Sequence, residues 1–597
     1  MPAVASTATL LQPPGRTATR WLILAVICVA QLTVVLDNTV LNVAVPSLTE
    51  EMGATTADVQ WMINAYSLVQ SGLLLTAGNS ADRYGRKKML AVGLVLFGVA
   101  SLGATLAQSP GRLIAARAVM GVGGALLVTT TLAVVMQIFD DAERPKAIGI
   151  WSSVNSLGFA AGPLIGGSLL NHFWWGSLFL VNLPVALTGL VAVVTLVPES
   201  KSRGGERPDL LGALLSMIGM AGVVYAIIDG PVSGWLSGRV LISAAVGLVG
   251  LAVFALWELR VPYPMLDMHF FRNRRFIGAV SGGILVAFGL AGSMFLLTQH
   301  LQLVLGYGPL DAGLRMAPLA VTVILVNFTG VGARLMARLG TPGMIVSGMT
   351  LLAAGLAAIC TLGGDSYGGM LTGLIVMGVG VAFAMPTMAN AIMSAIPPAK
   401  AGVGAGVNGT LMEFGQGLGV AVLGAVLNAR FVALLPLVAA GAGSLPAALA
   451  RTRTDAERAA VHDAFASGIG TSQLVGAAAV FLGGLLAAVL LRRAERTGQA
   501  AGRGTGQGKA TGPEGEASDG ASAGTSGTTS DGASARASGG TSVRTAGGTP
   551  VRTAGGRLAR TAGGTSARAS DDGSGGRSAS PDPAAGLSSS PTVSAAE

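Results

Sequence analysis

The sequence predicts an all-α membrane protein with fourteen spanning helices, and three observations carry that expectation. Only 11% of the 597 residues are charged while 51% are hydrophobic, too few charges to coat a soluble protein of this length. The apolar residues arrive in runs of about 18 or more, and about 20 helical residues cross a hydrocarbon core about 30 Å thick. The runs lack the alternation and roughly ten-residue spacing of outer-membrane strands, which leaves helices.

Spans are predicted at 21–46, 59–80, 89–108, 112–138, 147–170 and 177–197, then at 210–229 and 239–257. Six more follow at 275–300, 312–333, 342–362, 368–394, 403–428 and 470–491. One set of alternate short loops holds Arg83, Arg86, Lys87, Lys88, Arg144, Lys146, Lys201, Arg203 and Arg207, then Arg272, Arg274, Arg275, Arg338, Lys400, Arg492 and Arg493. The opposite set carries Glu50, Glu51, Asp58 and Asp365. Lys and Arg collect on the cytoplasmic side, and long loops such as 430–468 count less. A multi-pass protein of the cell membrane with both termini cytoplasmic is expected.

Arg16, Arg20 and the apolar run behind them share features with a secretory signal peptide. The run continues past Asp37 into a motif that cleavage would destroy, so retention is expected. From about residue 497 the composition turns to Gly, Ser, Thr, Ala and Arg, with Arg-Thr-Ala-Gly-Gly recurring at Arg544, Arg552 and Arg560. Such a tract cannot bury enough apolar surface to offset chain entropy and is expected to be disordered.

Several function classes fall away. Cys28 and Cys360 both lie in apolar runs, which offers no disulfide framework or zinc site. The net charge of +9 is scattered through short loops, a topology signal rather than a nucleic-acid surface. Gly404, Gly406 and Gly409 match a dinucleotide fingerprint by spacing alone, with no strand before them. There is no phosphate-loop element for ATP, no nucleophile–base pair and no metal cluster. No catalytic or metal-binding residue is expected.

The motifs are Leu36-Asp37-Asn38-Thr39-Val40-Leu41-Asn42-Val43-Ala44-Val45-Pro46, followed by Trp61 and Tyr66, and the turn Gly78-Asn79-Ser80-Ala81-Asp82-Arg83-Tyr84-Gly85-Arg86-Lys87-Lys88. Arg117, Gly121 and Gly123 open the fourth span, and Gly158, Gly162-Pro163 and Gly166-Gly167 mark the fifth. Together these resemble the major facilitator superfamily, in particular its fourteen-helix drug:proton antiporters, over roughly 20–495. Ser80 replaces the Leu usual in the turn motif without altering its charges. The resemblance implies two six-helix bundles around a central cavity, 21–198 and 260–495, with 199–259 as a two-helix insert. Segments 1–20 and 496–597 are then a cytoplasmic lead and tail.

Each motif also has a physical reading. Asp82 lies just past the second span, and in this fold the thirteenth begins nearby, so the carboxylate would meet a helix macrodipole, typically worth about 0.3–1 kcal/mol. Arg86 is placed to pair with Asp140, Asp141 or Glu143. Asp82, Arg83, Arg86 and Asp140 would then latch the bundles on the cytoplasmic side; a solvated basic loop is the alternative. Gly158, Gly162 and Gly166 leave a groove at every fourth residue where a helix can approach closely, and Pro163 permits a bend. The resemblance associates this element, with Gly167, with antiporters; ordinary glycine packing is the alternative.

Charges within a bilayer are costly and usually pair or face a cavity. Asp37 and Arg117 both lie in the outer parts of their spans and are expected to neutralise each other, with protonation of Asp37 weakening the pair. Glu413 falls near mid-membrane. These three are the candidates for proton coupling, against the alternative of a static structural pair. Asn38, Asn42, Trp61, Tyr66, Gln299 and Glu413 are weaker candidates for the substrate cavity. His300, near the end of the ninth span, is placed either to contact substrate or to sit at the interface with water, and Asp311 and Arg315 form an exposed pair at a helix start.

The function implied is export of a lipophilic small molecule in exchange for protons by alternating access, powered by the proton-motive force without a cofactor. The expected partners are that substrate, protons and membrane lipid, for a monomer that binds no nucleic acid. A proton symporter importing a polar nutrient, or a receptor or scaffold that has lost transport, are the alternatives.

Overall fold

The computed structural model describes residues 17–140, 143–201, 207–362, 367–396 and 401–507. Every regular element among the described residues is helical. Residues 1–16 of the predicted lead 1–20, Asp141, Arg203, Asp365, Lys400 and the Arg-Thr-Ala-Gly-Gly repeats fall outside them.

Twelve helices among the described residues are long and apolar enough to cross a membrane. α3 (Thr56–Tyr84) and α6 (Arg144–His172), at 29 residues each, fall within the same range of lengths but are not among the twelve. Among the described residues the expected fourteen spans therefore meet the length-and-hydropathy criterion at twelve, and several side chains of α6 fall outside that description. For α3 the reason is chemical: it buries Gln60, Asn64, Ser67, Gln70, Ser71 and Thr76, a polar load that lowers hydropathy while facing protein rather than lipid.

Helices α1 (Thr17–Val43), α4 (Arg86–Thr105), α5 (Pro110–Ile138) and α8 (Asn182–Leu196) pack with α3 and α6 into one group. A second group contains α11 (Arg274–Gln299), α12 (Pro309–Phe328), α13 (Val331–Leu362), α14 (Tyr367–Ser394), α15 (Ala401–Leu434) and α17 (Asp455–Gln507). The groups meet along α3–α15 and α6–α12. Between them in sequence, α9 (Leu210–Ser233) and α10 (Gly238–Glu258) form a hairpin that closes through Gly222 against Gly247. Met220, Val224 and Ile228 of α9 fill the seam where α3 and α15 present Leu68 and Ala421.

The start of α1 and the end of α17 lie at the same end of the bundle, named the inner end for reference and the opposite end the outer. Arg20 reaches Asp140 and Thr76 reaches the Asp209 carbonyl at that end. At the outer end, Gln302 donates to the Val43 carbonyl and the Thr56 amide to that of Gly443.

Several boundaries differ from expectation. The first span stops at Val43, and a short α2 (Val45–Met52) follows because Pro46 lacks the amide needed to continue the helix. The long 430–468 connection shrinks at both ends, since α15 runs to Leu434 and α17 begins at Asp455. Helix α17 also continues through Gln507, past the composition change at about 497.

Candidate transport site

Asp37 stands in the outer half of α1, and Arg117 lies two turns into α5, whose first turn is set by Pro110. The two side chains form an ion pair and are almost wholly inaccessible. Arg117 Nε also donates to the Met62 carbonyl at 3.1 Å, and its guanidinium lies 4.3 Å from the centre of the Tyr66 ring. The second Asp37 oxygen accepts from Asn182 Nδ2 at 3.3 Å, and the same amide reaches Ser101 Oγ at 3.3 Å. Five helices of one group thus contribute to the charge pair. Coulomb attraction, hydrogen bonds and a cation–π contact act against the desolvation of both ions.

Glu413 sits on α15, in the other group. Its Oε1 accepts from Asn38 Nδ2 at 3.5 Å, and its Oε2 is buried without a partner. Asn38 follows Asp37 on α1, so this bond crosses from one group of helices to the other. Asn42 Oδ1, Asn64 Oδ1, Gln70 Oε1 and the Tyr66 hydroxyl are further buried atoms without partners. Buried acceptors left unmade cost free energy, and a run of them on α1 and α3 is suited to a visiting donor.

The glycine element of α6 faces two ways. A Cβ on Gly158 or Gly162 would collide with Val35 or Thr39 of α1, and one on Gly166 would press tightly on Val40. A Cβ on Gly167 would stand 2.4 Å from the Pro309 carbonyl oxygen of α12, and one on Gly313 of α12 would stand 2.2 Å from that of Pro163. The every-fourth groove seats α1, and Pro163–Gly167 forms an outer-end contact between the two groups.

The turn motif also takes definite form. Gly85 adopts φ +113°, a conformation L side chains rarely hold, and it lets α4 start at Arg86 without a linker. Arg86 pairs with Asp82 of its own motif at 2.8 Å rather than with Asp140 or Glu143, while Asp141 is outside the described residues. Asp140 is taken by Arg20 at 3.4 Å. Arg83 stacks near Tyr84. The four residues before α15, the expected neighbour of Asp82, are outside the described residues.

The structure gathers Asp37, Asn38, Tyr66, Arg117 and Glu413, but separates two cavity candidates from them. Trp61 packs on Tyr225 of the α9–α10 hairpin with ring centroids 5.8 Å apart. Gln299 is buried near the outer end, its amide spent on the Phe295 carbonyl. Sequence reasoning missed Asn182 and Ser101, the remaining partners of the Asp37 cluster. It also missed Gln31, which accepts from Thr131 and donates to Asn155 at 2.8 Å across α1, α5 and α6. The available signal was a polar residue inside an apolar run, where a partner is required.

Two helical groups meeting around buried carboxylates are the architecture of a polytopic membrane transporter, not of an enzyme. Residues 27–420 match the family model of the Major Facilitator Superfamily, and the chain belongs to that family. It is 35% identical over 499 residues to the Multidrug efflux pump LfrA of Mycolicibacterium smegmatis, covering 80% of this chain and 98% of that one. Identity to the Puromycin resistance protein pur8 of Streptomyces alboniger is 36% over 434 residues, 72% and 85% of the two chains. The Tetracenomycin C resistance and export protein of Streptomyces glaucescens is 32% identical over 502 residues, 80% and 92% of the two. The fold is similar to a crystal structure of a bacterial homolog of the human lysosomal transporter Spinster, with a TM-score of 0.56 at 17% identity, covering 80% of this chain and 98% of that one.

Proposed function

We propose that this transporter exports lipophilic small molecules from the cytoplasm in exchange for protons, using alternating access across the seam between its two groups of helices. The observation that carries the reading is the Asn38–Glu413 bond beside the Asp37–Arg117 pair. One carboxylate is tied inside a single group, while the other is held across the seam and keeps a free oxygen. The relatives named for efflux and drug resistance support the direction of transport.

On this reading α3 and α6 also cross the membrane, giving fourteen spans. The inner end is cytoplasmic because Arg83, Arg86, Lys87, Lys88, Arg144 and Lys146 lie there. Protonation of Asp37 releases Arg117, and a cationic substrate can replace the proton that otherwise neutralises Glu413. The seam then separates at the outer end, where Pro163–Gly167 parts from α12. Asp82 and Arg86 secure the inner end in the outward-facing state, in which Asp82 meets the start of α15.

The test is proton counting in everted vesicles loaded with an internal pH dye. Adding a lipophilic dye substrate under an imposed pH gradient should collapse that gradient as the dye accumulates. Dye accumulation with no proton movement would refute the coupling, and failure to accumulate dye would refute export.

A further inference from the structure

We propose that a cavity near the outer end of α11, α13 and α17, apart from the Asp37–Glu413 cluster, is a second binding site that takes a protonated organic amine. The cavity holds about 420 Å³, within the range of small-molecule sites. Two features of the chain open it. Helix α11 passes into a π-turn over His300–Val304, and the wider turn places both His300 and Val304 on the cavity wall. Helix α17 starts at Asp455, well before its apolar stretch, and its early turns carry His462 and Asp463 to the same cavity.

The lining defines the ligand. Gln473 is fully buried, and its amide nitrogen donates to Ser293 Oγ at 3.2 Å. Gln473 lines the cavity and its Oε1 has no partner, leaving an acceptor for an N–H donor. Asp463 makes no ion pair among the described residues and is the acidic side chain of the lining. Leu297, Ile359 and Ile469 supply an apolar wall. A lipophilic ammonium ion with at least one N–H satisfies all three features: the N–H reaches Gln473, the charge offsets Asp463, and the hydrocarbon covers the apolar wall. A quaternary ammonium ion of equal size lacks the donor and should bind more weakly.

Cys360 lines this cavity, while Cys28 is buried in α1. In the full chain carrying Cys28→Ser, reconstituted in nanodiscs, the rate of N-ethylmaleimide attachment to Cys360 reports occupancy. Imipramine, a tertiary amine, should slow attachment at concentrations about tenfold below those its N-methyl quaternary derivative requires, the factor expected for one charge-assisted hydrogen bond. Gln473→Met, which keeps the volume and removes the acceptor, should erase that difference; Glu413→Gln, in the central cluster, should leave it intact. Equal protection by the two ligands, or an undiminished difference in Gln473→Met, would overturn the proposal. So would loss of the difference in Glu413→Gln alone, or a Cys360 that does not react in the free protein. Because the readout is binding, these results stand whether or not export proves proton-coupled.

Discussion

Asp37 and Glu413 are both carboxylates inside long apolar helices, yet their surroundings differ. Asp37 is saturated: Arg117 and Asn182 occupy its oxygens, and all its partners belong to one group of helices. Glu413 is half-satisfied, with one long hydrogen bond to the opposite group and one oxygen without a partner. Rigid-body separation of the groups leaves the first site whole and breaks the second. A saturated pair responds to a proton, which cancels the charge that Arg117 needs. An unsaturated carboxylate spanning a seam responds to whatever enters the seam. Two acids of similar chemistry are thus suited to different tasks by where their partners sit.

The largest expected effect tests the saturated side. Asp37→Asn leaves Arg117 buried without its counter-ion, and breaking such a pair costs about 3–5 kcal/mol. The variant should insert, melt at a lower temperature and show no pH-driven efflux in everted vesicles. Wild-type efflux would remove Asp37 from the coupling machinery.

The next tests whether the seam closes where the glycines meet. Gly167→Val drives a side chain into the Pro309 carbonyl, an overpacking cost of about 1–3 kcal/mol. It should loosen the outer end, raising thiol labelling of an Asn42→Cys reporter from outside and slowing efflux. Unchanged labelling would show that the contact does not hold the seam shut.

Glu413→Gln probes the unsaturated side. Removing the charge should reduce export of a cationic substrate about tenfold, equivalent to about 1.4 kcal/mol, with little change for a neutral substrate of similar size. Equal losses for both would make Glu413 a coupling residue like Asp37 and dissolve the contrast. No loss for either would make it structural.

The smallest effect belongs to the inner turn. In this conformation Asp82 pairs with Arg86, a half-exposed contact four residues apart worth about 0.3–0.5 kcal/mol. A dipole contact with α15 in the other state would add about 0.3–1 kcal/mol. Asp82→Asn should therefore shift the population towards the inward-facing state by about two- to fivefold, read by paired cysteine accessibility on the two sides of the seam. Identical accessibility would reduce the motif to a basic loop.

The sequence by itself determined the helical membrane class, because hydropathy over about 20 residues is a local property that the bilayer reads directly. It also determined the family, and that Asp37 and Arg117 had to be neutralised, since isolated charges in a membrane are costly wherever the chain runs. Tertiary structure decided what local pattern cannot encode. It gave Asp37 a second partner in Asn182, 145 residues away, and turned Trp61 towards Tyr225 instead of the central cluster. It paired Arg86 with Asp82 because Arg20, on another helix, already holds Asp140. Glu413 shows the division most clearly: its charge and depth are written in α15, but the bond that makes it span the seam depends on Asn38, 375 residues away. A partner at that separation is chosen by the packing of whole helices, and packing is a property of the assembled bundle rather than of any segment within it.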